Sequence, residues 1–141
     1  MSAVKGVNVT KYDAGAQGDY AINKGLVNAN LEVWLDSYEA SALASGSTID
    51  VAHLPDGAIV VDTEIAWDAL GTSRTLALGD SDDPDRYITA ADASSAGSAR
   101  GARVDGKGYV IGTNDGDNVV QILTAGGTAT GTIKSRVVFS R

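Results

Sequence analysis

The stretch of this chain richest in groups that do chemistry is "ALGDSDDPDRYITAADASS", residues 77–95, which carries the five carboxylates of Asp80, Asp82, Asp83, Asp85 and Asp92. Three kinds of chemistry suit such a cluster: calcium binding, carboxylate acid–base work, or none beyond solvation of a hairpin connection. An EF-hand loop begun at Asp80 needs oxygen ligands at its first, third and fifth positions, Gly at the sixth and Glu at the twelfth. Here Pro84, Asp85 and Ala91 occupy the last three of those, so that motif fails. An irregular divalent site from Asp80, Asp82 and Asp85 stays open, with a solvated connection preferred. The same holds for Asp115 and Asp117 in "TNDGDN", where Asp-Gly is first a turn signal.

Acid–base catalysis by two carboxylates requires environments that push their pKa values apart. Asp82 and Asp83 sit beside Pro84 in the most polar part of the chain, with nothing in the sequence to desolvate either. The single imidazole, His53, lies among Val51, Ala52 and Leu54, with no Gly-x-Ser-x-Gly elbow in the chain, and reads as a strand residue near a turn rather than a general base. Gly126-Gly127 precedes a β pattern instead of a helix, which argues against a phosphate-cradling loop. No catalytic residue, no metal ligand set and no cofactor is assigned. Without cysteine there is neither a disulfide nor a thiolate site.

The elements that would position these residues are strands. In "AIVVDTEIAWDAL", Ile59, Val61, Thr63, Ile65, Trp67 and Ala69 alternate with Asp62, Glu64 and Asp68, the period of a half-buried strand with a bend midway. "STIDVAH" places Ile49 and Val51 on one face, and Leu54-Pro55-Asp56-Gly57 makes the turn between the two strands. Further strands are predicted at 31–38, 75–79, 86–90, 109–113, 118–124 and 130–139. "DSYEASALAS" and "ITAADASSAGSAR" are rich in Ala without a sustained apolar stripe and read as loops. About eight short strands predict an all-β fold, an antiparallel β-sandwich of jelly-roll or related Greek-key type, over residues 31–141.

Residues 1–30 lack this pattern and read as an extended N-terminal arm. The arm has three lysines (Lys5, Lys11, Lys24) against Asp13 and Asp19, whereas 31–141 holds 8 basic and 16 acidic residues of a chain with net charge −7. That acidity argues against nucleic acid as a direct partner, and no apolar run approaches the length of a membrane span or a secretory signal. Trp67 falls on the apolar face of its strand and reads as core. Trp34, with Asp36 and Tyr38, alternates against Leu31, Val33 and Leu35, so one of those faces must meet something other than the core. Burial against a neighbouring subunit or the arm is preferred to sugar binding.

The opening "MSAVKGVNVTKYDAG", the segments "LEVWLDSYEA" and "STIDVAHLPDGAIVVDTEIAW" and the ending "TGTIKSRVVFSR" together resemble the capsid decoration, or cement, proteins of tailed bacteriophages. The resemblance implies a jelly-roll-like β domain without catalysis, usually a homotrimer, made in the host cytoplasm and seated on the outer capsid surface, where it bridges neighbouring major capsid proteins. Head-fibre, tail-associated and receptor- or glycan-binding β modules remain alternatives. On the decoration reading, Lys5, Val7, Val9, Lys11 and Tyr12 of the arm are the expected capsid contacts, and Trp34 and Tyr38 the expected oligomer interface.

Overall fold

A computed structural model of the chain describes residues 30–101, 106–112 and 116–141. The arm residues 1–29 lie outside the described residues. Nine strands follow in order: β1 (Leu31–Leu43), β2 (Thr48–His53), β3 (Ile59–Trp67), β4 (Thr75–Gly79), β5 (Ile88–Asp92), β6 (Gly97–Arg100), β7 (Tyr109–Val110), β8 (Val119–Ala125) and β9 (Ala129–Ser140). Among the described residues the only helical piece is a 3-10 turn, Gly116–Asn118.

The strands form two antiparallel sheets. One has the order β1-β9-β3-β6, with β7 pairing the start of β3 on the side where β6 pairs its end; the other has the order β2-β8-β4-β5. The chain therefore crosses repeatedly from one sheet to the other, and the inward faces close on one core. Ile65, Trp67, Ile133, Val137 and Phe139 come to it from the first sheet, and Ile49, Leu76, Leu78, Val120 and Ile122 from the second. Each such side chain contributes about 1.5–3 kcal/mol on leaving water. The expectation of an all-β antiparallel sandwich holds.

Two bulges shift the alternation read from sequence. In β3, Val60 pairs with Phe139 and Asp62 with Val138, so Val61 is an extra residue. Val60 is buried in the core instead of facing out, Val61 is exposed, and the expected phase resumes from Thr63 onward. In β2 the register slips between Asp50 and Ala52, so that Val51 and Ala52 are both buried. The turn expected at 54–57 forms one residue later, over 55–58, with Ala58 N–H donating to Pro55 O, Gly57 at φ 80° and the Gly57 N–H donating to Ile111 O.

The two Ala-rich segments read as loops are a correction. β1 runs through "EASAL" to Leu43 because β9 holds it there, Glu39 opposite Thr132 and Ala40 opposite Gly131. Beyond Ala40 a bulge carries Ala42 at φ 48°, its N–H donating to Thr130 Oγ1. "ITAADASSAGSAR" supplies all of β5 and all of β6, the latter paired with Glu64–Trp67 of β3. Partner strands outweigh weak local propensity in both.

Candidate functional site

The acidic stretch joins β4 to β5 and is built inward around its first carboxylate. Asp80 is only 1% exposed. Its Oδ1 accepts the backbone N–H groups of Asp82 and Asp83, at 3.0 and 2.9 Å, and its Oδ2 accepts from Arg86 Nε at 2.6 Å. Asp80 N–H donates to Asp83 O, and Arg86 N–H to the same oxygen. Ser81, Asp82 and Pro84 stay exposed, as expected of a solvent-side connection. Asp80 does not, and with its oxygens committed to Arg86 and the loop backbone it is not placed to ligate a metal with Asp82 and Asp85.

The same cluster reaches the 3-10 turn. The Arg86 guanidinium carbon lies 4.0 Å from the centroid of the Tyr109 ring, a cation–π contact. Tyr109 OH donates to Asp117 Oδ2 at 2.8 Å, and Gly112 N–H to the same oxygen at 2.9 Å. Asp117 is as buried as Asp80, and Tyr87 packs edge-on against Tyr109. Sequence reading raised Asp80 and Asp117 as separate possible ligands; the structure joins them through Arg86 and Tyr109. The Asp80 hydrogen bond keeps Arg86 charged, above its ordinary value. Burial, then the bond to Asp117, pushes the Tyr109 hydroxyl up to about 12. This arrangement staples two loops to each other. Among the described residues, no three His, Cys, Asp or Glu side chains converge as a metal site.

The remaining candidates resolve as follows. His53 is exposed on β2, its ring 6.3 Å from that of Trp34. Gly126 and Gly127 turn β8 into β9, and Arg74 donates to Gly126 O at 3.0 Å and Thr128 O at 2.5 Å, so the turn is clasped from within the chain. Trp67 is core, its indole N–H donating to Ser95 O at 2.9 Å.

What the structure leaves open is β1. It pairs with β9 along one side, and among the described residues no strand pairs its other side. Trp34, Asp36 and Tyr38 lie opposite Val137, Ser135 and Ile133, whose side chains are buried, so this is the face toward the sandwich. Trp34 and Tyr38 nonetheless stay 37% and 39% exposed. Leu31, Val33 and Leu35 lie on the outer face, with Leu35 71% exposed. Further across that face, Asp62 receives Arg100 at 2.6 Å and Arg136 at 3.5 Å. Burial works to raise the Asp62 carboxyl, but Arg100 outweighs it and holds it low. An open depression of about 350 Å³ there is lined by Leu35, Glu64, Lys134 and Arg136 among others. The expected capsid contacts Lys5, Val7, Val9, Lys11 and Tyr12 lie outside the described residues.

No helix among the described residues is long and apolar enough to cross a membrane. No protein-family model matches the sequence, and no curated protein matches it. Solved structures do. A chain of the cyanophage Pam1 capsid asymmetric unit aligns with a TM-score of 0.68 and 27% identity, over 79% of this chain and 85% of that one. A chain of the capsid of Ralstonia phage GP4 aligns with a TM-score of 0.63 and 18% identity, over 79% and 84%, a likeness of fold alone. The sequence resemblance to capsid-associated proteins of tailed phages is thus supported by neighbours found through the fold.

Proposed function

We propose that this protein is a structural component of a phage virion, a homotrimer that decorates the outer capsid surface and stabilises the shell by bridging major capsid proteins. The observation that carries the reading is the likeness to a chain of the Pam1 capsid over 79% of this chain, at 27% identity. The strand order β1-β9-β3-β6 against β2-β8-β4-β5 supports a jelly-roll description, with β6 and β7 counted as one interrupted strand. The site chemistry supports a non-enzymatic role, since its buried charges are spent on holding loops.

A protein that binds only the assembled shell adds its binding free energy to that state. Attachment of one subunit raises the effective concentration of the next contact, so several weak contacts act as a strong one. On this reading the arm makes the capsid contacts, with Val7, Val9 and Tyr12 as apolar anchors and Lys5 and Lys11 orienting it. Exposed ion pairs of that kind contribute only about 0–1 kcal/mol each.

The test is to mix purified protein with heads of its parent phage that lack it, and follow co-sedimentation and shell melting. Bound protein and a raised shell melting temperature are expected. Deleting residues 2–14 is expected to abolish binding while leaving the β domain's own melting temperature nearly unchanged. Heads that stay bare with the full chain would sink the reading, and adhesion to host cells or glycans in its place would favour a fibre or receptor-binding module.

A further inference from the structure

The two lateral edges of the β1-β9-β3-β6 sheet are complementary. The large hydrophobic side chains exposed among the described residues are Leu31, Val33, Trp34, Leu35 and Tyr38 on β1, and Val61 and Val110 at the β3–β7 end. They gather at opposite edges of one sheet. β1 carries Glu32, Asp36 and Glu39 and no basic residue. Among the described residues of the other edge, β6, β7 and the turn before β7 carry Arg100 and Lys107 and no acidic residue.

We propose that the β1 edge of one subunit docks on the β6–β7 edge of a second copy, extending the sheet head to tail between subunits. Strand direction fits. Each neighbour in β1-β9-β3-β6 is antiparallel to the last, so β6 and β7 run opposite to β1, and a second copy's β1 set beside them continues the alternation. The rows fit as well. Leu31, Ser140, Ile59 and Val110 lie in one cross-strand row, and Leu35, Arg136, Glu64 and Arg100 in another. A copy placed level therefore brings Leu31 and Val33 to Val110, and Leu35 against the stem of Arg100, whose guanidinium is held by Asp62.

A 13-residue edge strand with apolar groups on both faces, and neither Pro nor Lys to guard it, is the kind that natural proteins cover. β1 docking on β1 would bring together two edges that each carry Glu32, Asp36 and Glu39, with only Arg141 on Glu32 as counter-charge, which disfavours the two-fold alternative. A contact between two different patches is heterologous, and such contacts close into rings where the rotation between successive copies closes, here at three. This deepens the homotrimer reading by naming the surfaces that form it.

Because the chain has no cysteine, the contact is read directly by introducing single cysteines at Leu31→Cys and Val110→Cys. Both positions are exposed, so the fold tolerates them. Within one subunit they are three strand spacings apart, about 14 Å, too far for an internal disulfide. After mild oxidation, an equimolar mixture of the two variants is expected to give covalent dimers containing one of each, with little cross-linking of either alone. A chain carrying both substitutions is expected to give a covalent ring matching the oligomer seen by light scattering. Self-cross-linking of Leu31→Cys as efficient as the mixture would overturn the head-to-tail contact in favour of β1 on β1. An oligomer that cross-links in no combination would overturn the edge contact, and a wild-type monomer at about 100 µM, well above the range in which a standard-size interface holds, would overturn it together with the trimer. No capsid enters these measurements, so failure to bind heads is a separate result.

Discussion

Arg86 grips the buried carboxylate of Asp80, six residues earlier in the chain, at two points, Nε 2.6 Å from Oδ2 and Nη2 3.3 Å from Oδ1. The pair gives the acidic stretch its shape, since Asp80 Oδ1 also holds the N–H groups of Asp82 and Asp83. Removing one partner of a buried pair strands the other's charge, at a cost of about 3–5 kcal/mol. Arg86→Ala is therefore expected to lower unfolding free energy by about that much in urea titrations. Asp80→Asn combined with Arg86→Met keeps an acceptor for the loop N–H groups and leaves no charge behind, so it is expected to recover most of the loss. A double variant as unstable as the sum of its parts would show that the two residues act independently.

Tyr109 predicts the alkaline limit of the fold. Its hydroxyl is raised from the ordinary value near 10 to about 12, burial being the larger cause and the bond to Asp117 the next. A group whose folded value is raised contributes stability that is whole below the unfolded value and lost as pH rises through the folded one. The window is thus about pH 10 to 12. Burial pushes Tyr87 up too, so both rings are expected to ionise late in an absorbance titration. Tyr109→Phe is expected to flatten the fall of melting temperature across that window. An unchanged slope would remove Tyr109 as its cause.

Two glycines separate backbone strain from crowding. Gly57 and Gly126 have nearly the same φ, 80° and 89°. A Cβ at Gly57 would meet open space, whereas one at Gly126 would stand 2.0 Å from Ser73 O. Gly57→Ala carries only the left-handed penalty, about 1–2 kcal/mol. Gly126→Ala adds an overpacking cost of about 1–3 kcal/mol, because Ser73 sits beside Arg74, which clasps the same turn. Thermal denaturation of the two variants is expected to rank them in that order. Equal losses would mean that the β8–β9 turn yields freely.

Much of this architecture is legible in the sequence where a strand buries one face along its length, as from Thr63 to Trp67. It is not legible where pairing alone makes the strand. "GSAR" has almost no side-chain area to alternate, and becomes β6 only because Glu64–Trp67 lies beside it. "EASAL" is strand because β9 is long enough to reach it. The Asp80–Arg86 pair leaves a trace, opposite charges flanking a short loop, but spacing does not reveal which of four clustered aspartates turns inward. The alternation of Trp34, Asp36 and Tyr38 against Leu31, Val33 and Leu35 shows that β1 has apolar groups on both faces, but which face meets the sandwich is set by its pairing with β9. That β1 is the end of its sheet is set by topology, which the sequence of β1 does not encode.

Val61 shows how a strand can carry one residue more than its partner. As a substitution site it is tolerant: its side chain is exposed, and Val61→Ser is expected to change stability by no more than about 0.5 kcal/mol. Its deletion is also expected to be survivable, for a reason of register. Val60 pairs with Phe139 and Asp62 with Val138, which are consecutive residues of β9. A regular ladder without Val61 therefore keeps Val60 facing the core and Asp62 facing Arg100 and Arg136, and no residue from Thr63 to Trp67 changes face. What the deletion removes is the local bend and added twist of the bulge. The variant is therefore expected to unfold cooperatively and to bind no more hydrophobic dye than wild type. A deletion variant that exposes apolar surface to the dye would show that the bend itself is needed to close the sandwich.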